Sequence, residues 1–423
     1  MVLGPLHSFT LVALLLAQGA EAAPMSLQDL YLKAVARSEV LGQTKLDVTR
    51  QERAIDEARA GRGARVHLQA GLDEAYSKVP ARSWQSDTVP RLDTEFRYPL
   101  YDGGSTRARI EAAQRLRDAA TWEVAREKED LFLQCAELFY NVLGIEQDLR
   151  NLRDSASIYS DRVETLTKRE KIGRSRTAEV LAARTQLQVI RSQIVDAENR
   201  LHLNQERLAW LIDAKPPLSL RDDITLTTLQ SKSLPLRSIP LPAVESSRAR
   251  LDAASFRIDQ EKAAGAPLLD FIAAHRWSVP QDTSTHVLSF GLGLSWQIYD
   301  AGQLEASVGG YSIERQRAAL AADIARREAE LNQNLVKREW EDGLNQLKDL
   351  DLALNAAKQN VKVQQQEFEN GLLTNLEVMQ ALDTQLQVRR TIDQTLFRTK
   401  YVYLEAQLRA GQIPYVRPDP AKR

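Results

Sequence analysis

Two stretches of this chain, Leu100 to Lys215 and Gln281 to Ile413, contain no proline. Proline removes a helical hydrogen bond and clashes with the preceding turn, so its absence over such spans leaves room for very long helices. Helix-compatible sequence starts just after Gly104 and Gly302 and breaks near Gly173 and Gly371. Each limb would be roughly 100 Å long at the rise of an α-helix. In the first limb Leu149, Leu152, Ala156, Tyr159, Val163 and Leu166 alternate spacings of three and four, which makes a heptad seam. The return limb carries another, from Val180, Ala183, Leu187 and Ile190 through Ile194, Ala197, Leu201, Asn204, Leu208 and Leu211. Such seams need partners, so the two limbs of each hairpin are expected to pack antiparallel. Gly144 and Gly343 are candidate joints within the outgoing limbs.

The pattern occurs twice. Tyr101-Asp102-Gly103-Gly104 is matched by Tyr299-Asp300-Ala301-Gly302 at an offset of 198. At that same offset Gly173 falls on Gly371, Glu179-Val180 on Glu377-Val378 and Ala183 on Ala381. The heptad seam of the first limb falls on Leu347, Leu350, Leu354, Ala357, Val361 and Gln364. One long unit is therefore present twice, and no short-period solenoid is implied. The first repeat spans 23–212, with an opening helix, a β-hairpin at 65–101 and a helical hairpin at 105–212. The second spans 243–411, with its β-hairpin at 268–299 and its helical hairpin at 303–411. Ser26, with Asp29 as capping partner, starts a helix expected to run to about Gly61; its counterpart runs from about Ala243 to Gly265. Between the repeats, 213–242 is proline-rich and aperiodic, and 412–423 forms a similar tail.

The strand segments constrain the environment. Val66, Leu68, Ala70 and Leu72 alternate with His67, Gln69, Gly71 and Asp73. Leu92, Thr94, Phe96, Tyr98 and Leu100 alternate with Asp93, Glu95, Arg97 and Pro99. In the second repeat Leu269, Phe271, Ala273, His275 and Trp277 share one face, and Leu288, Phe290, Leu292, Leu294, Trp296 and Ile298 alternate with small or polar residues. A segment of about ten residues is the length of a tilted strand crossing a bilayer. Val79 to Pro90 and Val279 to Thr285 read as polar hairpin loops. Tyr98, Tyr101, Trp296 and Tyr299 cluster where strands end, as interfacial aromatics do. Four strands cannot close on themselves, since about eight is the practical minimum. Two copies would supply eight and three would supply twelve, with room for a lumen. A soluble sandwich with one wet face is the competing reading of the strands.

Composition excludes several classes. The net charge is −1 over 423 residues, so no basic excess points to nucleic acid. The five histidines lack metal-motif spacing, and no phosphate loop, nucleophile elbow or cysteine cluster appears. Neither an enzyme, a cofactor nor a metal is indicated. Cys135, the only cysteine, cannot form an internal disulfide and reads as a small buried apolar residue. Phe9 to Ala17 is an apolar run followed by Ala20-Glu21-Ala22, the pattern of a signal peptide over 1–22. Beyond it no run of about 20 apolar residues offers a transmembrane helix.

These features carry a resemblance. The opening Ser26-Leu27-x-x-Leu30, the two Tyr-Asp-x-Gly turns and Asn370-Gly371-Leu372-Leu373-Thr374-Asn375-Leu376-Glu377-Val378 resemble the TolC-type outer-membrane efflux protein family over nearly the whole chain beyond residue 22. The resemblance implies a mainly α protein with a membrane β-barrel: a two-repeat protomer, a trimeric twelve-stranded barrel, a long α-helical periplasmic tunnel, and an equatorial belt made of 213–242 and the C-terminal tail. It implies a passive exit duct for efflux or type I secretion in a Gram-negative outer membrane, lipid-embedded above and periplasmic below. Its partners would be two further copies, a periplasmic adaptor, and an inner-membrane transporter that supplies energy.

The resemblance also assigns residues. Gly173, Arg174, Arg176, Gly371, Leu372, Leu373 and Thr374 would be the adaptor-docking tips. The arginines depart from the usual apolar tip and suit an adaptor presenting acidic residues. Glu377 and Glu179 would line the entrance as gate or selectivity residues, with neutral Gln380 where a second ring acid is usual. The alternative for these glutamates is ordinary first-turn helix residues. Tyr101, Asp102, Gly104, Tyr299, Asp300 and Gly302 would be structural strand-to-helix turns. A periplasmic coiled-coil scaffold and an adaptor protein are the alternative readings of the whole. The first leaves the alternating strands unexplained, and the second has one hairpin where this chain has two.

Overall fold

The computed structural model describes residues 24–77, 85–231, 240–279 and 283–416. The expected signal segment lies outside them, as do part of each strand-connecting loop, residues 232–239 of the inter-repeat segment and the end of the tail. The elements in order are α1 (Leu27–Arg37), α2 (Glu39–Ala60), β1 (Arg65–Ser77), β2 (Gln85–Tyr101), α3 (Ser105–Lys171), α4 (Thr177–Leu211), α5 (Leu226–Ser231), α6 (Pro242–Ala263), β3 (Leu268–Ser278), β4 (Thr285–Ser295), α7 (Gln303–Glu369) and α8 (Asn375–Arg409). The chain divides into two compact units. One takes in Met1–Arg37, Cys135–Ser231 and Gln346–Lys400; the other takes in Ser38–Gln134, Lys232–Asn345 and Tyr401–Arg423.

The first unit is helical, and its core is the heptad seam. Leu149, Leu152, Tyr159 and Leu166 of α3 pack with Val180, Ala183, Leu187, Ile190 and Ala197 of α4, and with Met379 and Leu386 of α8. Each large side chain so buried contributes about 1.5–3 kcal/mol. A surface ion pair such as Lys168–Glu164, with both side chains more than half exposed, is screened by water and adds little. The apolar seam therefore contributes more than the exposed pairs on the helix surfaces do. Cys135 is fully buried, and burial pushes its thiol up to about 12. Ser26 and Asp29 form the expected reciprocal cap on α1: Asp29 N donates to Ser26 Oγ at 3.2 Å, and Ser26 Oγ donates to Asp29 Oδ2 at 2.7 Å.

The second unit holds the sheet, with strand order β1-β2-β3-β4 and antiparallel pairing throughout. Its strands β1 and β4 are edges. Helix α2 opens this unit, and α6 lies before β3 as α2 lies before β1. At the C-terminal end Ile413 and Val416 are buried, and Tyr415 meets Phe132 edge-on with centroids 6.0 Å apart.

Several sequence expectations need correction. The opening helix is two: Ser38 interrupts it and caps α2, accepting from Leu41 N at 3.1 Å. Strand β2 begins at Gln85, inside the segment expected to be loop. Pro90 is tolerated there because the ladder with β3 ends at the Arg91–Ser278 pair, and the one further bond on that side, from Val279 N, is accepted by the proline's carbonyl and needs no N–H from it. Strand β4 stops at Ser295 although the alternation runs on to Ile298, because its partner β3 begins at Leu268, opposite Ser295. Trp296 instead donates its indole N–H to the Gly265 carbonyl at 3.1 Å. Gly144 and Gly343 break nothing, since α3 and α7 run through them. A side chain at 144 would meet the Phe397 ring at 3.4 Å, so this glycine makes room for an aromatic neighbour. The 213–242 segment contains the short helix α5, and Met25 makes an isolated parallel bridge to Leu220.

Candidate functional site

The sheet has two chemically different faces. Residues directly opposed in an antiparallel ladder point to the same side, so the register sorts them. One side carries Val66, Leu68, Ala70 and Leu72 from β1, then Leu92, Phe96 and Tyr98 from β2. Phe271, Ala273 and Trp277 from β3 and Leu288, Phe290, Leu292 and Leu294 from β4 complete it. Val66, Leu72, Phe290 and Leu294 are each about two-thirds exposed or more (67–72%), so nothing among the described residues covers this side. An uncovered apolar surface of this extent marks contact with lipid or protein.

The other side is an ion-pair lattice. Arg91 bridges Asp73 and Asp93, each at 2.9 Å. Arg276 reaches Asp93 from the neighbouring strand at 2.7 Å. Arg97 holds Glu95 at 2.8 Å and lies 3.8 Å from Asp270. Among the described side chains here, Arg65, Arg91, Arg97 and Arg276 match Asp73, Asp93, Glu95 and Asp270 in number, so this side has no strong net sign. Serines and glycines of β4 complete it.

At the end of each hairpin a matched turn converts strand to helix. Asp102 accepts from Gly104 N at 3.0 Å and Thr106 N at 2.8 Å; Asp300 accepts from Gly302 N at 2.9 Å and Leu304 N at 2.7 Å. The donors are otherwise orphaned first-turn amides, which is why an aspartate stands there. Burial raises the Asp102 carboxyl, but the hydrogen bonds from Thr106 and Gly104 outweigh it and hold it below the usual range. Hydrogen bonds from Leu304 and Gly302 lower Asp300 likewise. Tyr101 and Tyr299 are exposed beside these turns.

Both helical tips are left-handed glycine caps. Gly173 N donates to Glu170 O and Arg174 N to Arg169 O; Gly371 N donates to Phe368 O and Leu372 N to Glu367 O. This double bond pattern is the Schellman motif, with the glycine at positive φ. Arg174, Arg176, Leu372 and Thr374 are exposed, Leu373 is half-buried, and Ile172 and Leu376 add exposed apolar surface. Glu377 and Glu179 both act as capping-box carboxylates. Glu377 accepts from Thr374 N and Thr374 Oγ1, each at 2.8 Å, and Glu179 accepts from Ser175 Oγ at 2.6 Å. The Thr374 amide, then its hydroxyl, hold the Glu377 carboxyl below its usual range. Gln380, one turn on, is exposed.

A column of polar contacts ties α8 to α3 within the helical unit. Arg162 Nε donates to Asn375 Oδ1 at 2.5 Å. Tyr159 donates to Asp383 at 2.8 Å and lies 3.1 Å from the Met379 carbonyl, while Gln186 of α4 donates to Asp383 at 2.9 Å. Arg390 holds Asp148 through two bonds at 2.6 and 3.0 Å, and Asn151 donates to Asp393 at 2.6 Å. Burial, then the Asp383 carboxylate, push the Tyr159 phenol far above its ordinary range, so it remains a donor. Arg162 and Arg169 both stack on the Phe368 ring, each 4.8 Å from its centroid. No spacing rule finds this column, because its partners are 197 to 242 residues apart. Tyr159, which the heptad pattern reads as an apolar seam residue, is its centre.

Among the described residues no group of three or more His, Cys, Asp or Glu could hold a metal ion. No helix of the described residues is long and apolar enough to cross a membrane.

Comparison with known proteins places this geometry. The proteases secretion protein PrtF of Dickeya chrysanthemi is 21% identical over 440 residues, covering 95% of this chain and 92% of PrtF. The cobalt-zinc-cadmium resistance protein CzcC of Cupriavidus metallidurans is 25% identical over 305 residues, covering 69% of this chain and 70% of CzcC. The crystal structure of the outer membrane protein VceC from Vibrio cholerae has the same fold, with a TM-score of 0.80 at 17% identity over 91% of this chain and 96% of VceC. The sequence model described as outer membrane efflux protein matches residues 30–212 and 241–410, one match to each repeat. The chain therefore belongs to the outer membrane efflux protein family.

Proposed function

We propose that three copies of this chain close their sheets into one twelve-stranded barrel in a Gram-negative outer membrane, and that the long helices continue it as a periplasmic tunnel. The observation that carries this reading is the sheet: two open edges, one uncovered apolar face and one ion-paired face. In lipid every strand edge must be paired, which closure alone achieves. The apolar face then meets lipid and the ion-paired face lines water. The protein is a passive exit duct of a tripartite efflux or type I secretion system. A periplasmic adaptor docks at the Gly173 and Gly371 tips, and an inner-membrane transporter supplies the energy. The balanced charge of the lumen face suits a duct whose cargo is chosen elsewhere. Relatives named for secreted proteases and for metal resistance fit the same view.

Detergent extracts of outer membranes are expected to yield a particle of trimeric mass that opens ion channels in planar bilayers. A monomer in that fraction, or a soluble dimer in the periplasm, would return the chain to the coiled-coil scaffold reading.

Glu377 and Glu179 we place at the tunnel entrance. Three copies of Glu377 make a carboxylate ring that favours cations. Hydrogen bonds from the Thr374 amide and hydroxyl favour the charged carboxylate within each chain, against the mutual repulsion of three close carboxylates. Glu377→Gln preserves an acceptor for the Thr374 cap and removes the charge. It is expected to reduce cation preference at neutral pH while leaving thermal stability nearly unchanged; unaltered selectivity would leave Glu377 as a helix cap alone.

A further inference from the structure

We propose that His275 and His286 form a two-histidine chelate for a divalent first-row transition cation at the loop end of the β3–β4 hairpin, a site apart from the transport path. The two residues are eleven positions apart and belong to no sequence motif. Strand register brings them together: Trp277 faces His286 and Leu288 faces His275, so the histidines are diagonal neighbours on one side of the sheet.

The geometry is that of a chelating pair. His275 Nε2 and His286 Nδ1 lie 3.3 Å apart, with the rings 16° from parallel. Two imidazole nitrogens each about 2.0–2.1 Å from a tetrahedral ion are separated by about 3.3 Å. The same nitrogens that share a proton can therefore share a cation after a small ring rotation. Neutral imidazole is a ligand suited to Zn, Cu and Ni, with copper bound most tightly.

The second shell is present as well. Ligating histidines usually donate their remaining ring N–H to a fixed acceptor, which selects the tautomer. Ser284 Oγ lies 3.4 Å from His286 Nε2 and accepts the Trp277 indole N–H at 2.9 Å. With Trp277 holding the hydroxyl oxygen, its second lone pair is placed to accept from His286 Nε2–H. That tautomer frees Nδ1 for the ion. His286 is exposed and His275 half-buried, so solvent reaches the pair, and water fills the remaining coordination positions. Both side chains stand on the apolar face, near the aqueous end of the strands. A bound ion would cross-link β3 to β4 without entering the ion-paired lumen face.

The test is a titration of the full-length, tag-free protein in detergent, stripped of metal, with Cu(II) and then Zn(II). Calorimetry gives stoichiometry and affinity, and the paramagnetic resonance spectrum of the copper form counts ligating nitrogens. One ion per chain and two nitrogens are expected. His275→Ala or His286→Ala should each weaken binding about 100-fold, the advantage of a second tethered ligand. Ser284→Ala should weaken it about tenfold through the second shell. His67→Ala, on the opposite face, should change nothing. Copper should also raise the thermal transition of the wild type and of His67→Ala but not of the two chelate variants. Wild-type affinity in both chelate variants, or a spectrum with a single nitrogen, would overturn the assignment.

Discussion

Gly103→Ala is expected to destabilise the protein by about 3 kcal/mol, roughly twice the cost of the same change at Gly104. Gly103 has φ +65°, and a Cβ built on it would lie 2.4 Å from Ala266 Cβ and 2.8 Å from the Ala263 carbonyl oxygen. Left-handed backbone costs an L-residue roughly 1–2 kcal/mol, and forcing a methyl group into a filled space costs about 1–3 kcal/mol more. Gly104 has φ +89° but open space around it, so Gly104→Ala carries only the first cost. The duplication supplies a natural control. The counterpart of Gly103 is Ala301, which adopts φ +55° with a side chain in place. Positive φ alone is thus tolerated at this turn, and contact with the α6–β3 connection is what makes position 103 intolerant. Ala301→Gly should be neutral or stabilising by up to about 1 kcal/mol. An assembly of the kind proposed above would unfold irreversibly, so the comparison is read as half-life at fixed temperature and as yield of assembled protein. Equal losses at 103 and 104 would refute the steric half of the argument.

Legibility in the sequence followed the range of each interaction. Heptad spacing is local, and Leu149, Leu152, Tyr159, Leu166, Val180, Ala183 and Ile190 are buried in one cluster. Alternation is local too, and the apolar faces read at 66–72 and 288–294 lie on one side of the sheet. Ends were harder, because an end is decided by the partner. Pro90 looks like a loop residue and is a strand residue just past the Ser278 end of β3. Trp296 and Ile298 keep the alternation after β3 has run out. Ser38 could have been recognised as a cap by its position just before Glu39, but the apolar spacing continues past it. The polar column on α8 was illegible, since Asp383 and Arg390 are ordinary helix residues until α3 is laid beside them. Glu377 and Glu179 were legible as first-turn acids, and both are capping-box carboxylates.

Arg390→Ala is expected to release α8 from α3 and to raise the conductance of the purified channel. The Asp148 and Arg390 side chains are 11% and 17% exposed, so both charges are largely withdrawn from water. Removing one partner of such a pair costs about 3–5 kcal/mol, mostly by stranding the other charge. Arg200 lies 3.7 Å from Asp148 and remains, which places the expected loss near the lower end, about 3 kcal/mol. Asp148→Asn/Arg390→Gln strands no charge and allows an amide pair, so the double variant should lose less than Arg390→Ala despite carrying two changes. That inequality separates an electrostatic tie from mere packing, for which the double variant would be the worse. Amide hydrogen exchange reads the tie directly: in Arg390→Ala, residues 375–400 should exchange faster while the α4 seam stays protected. The Tyr159–Asp383 bond predicts the same direction with a smaller size, because Gln186 still satisfies Asp383 when the phenol is removed. If α8 exchange in Arg390→Ala matches the wild type, the polar column does not hold α8, and the apolar seam with Met379 and Leu386 holds it alone.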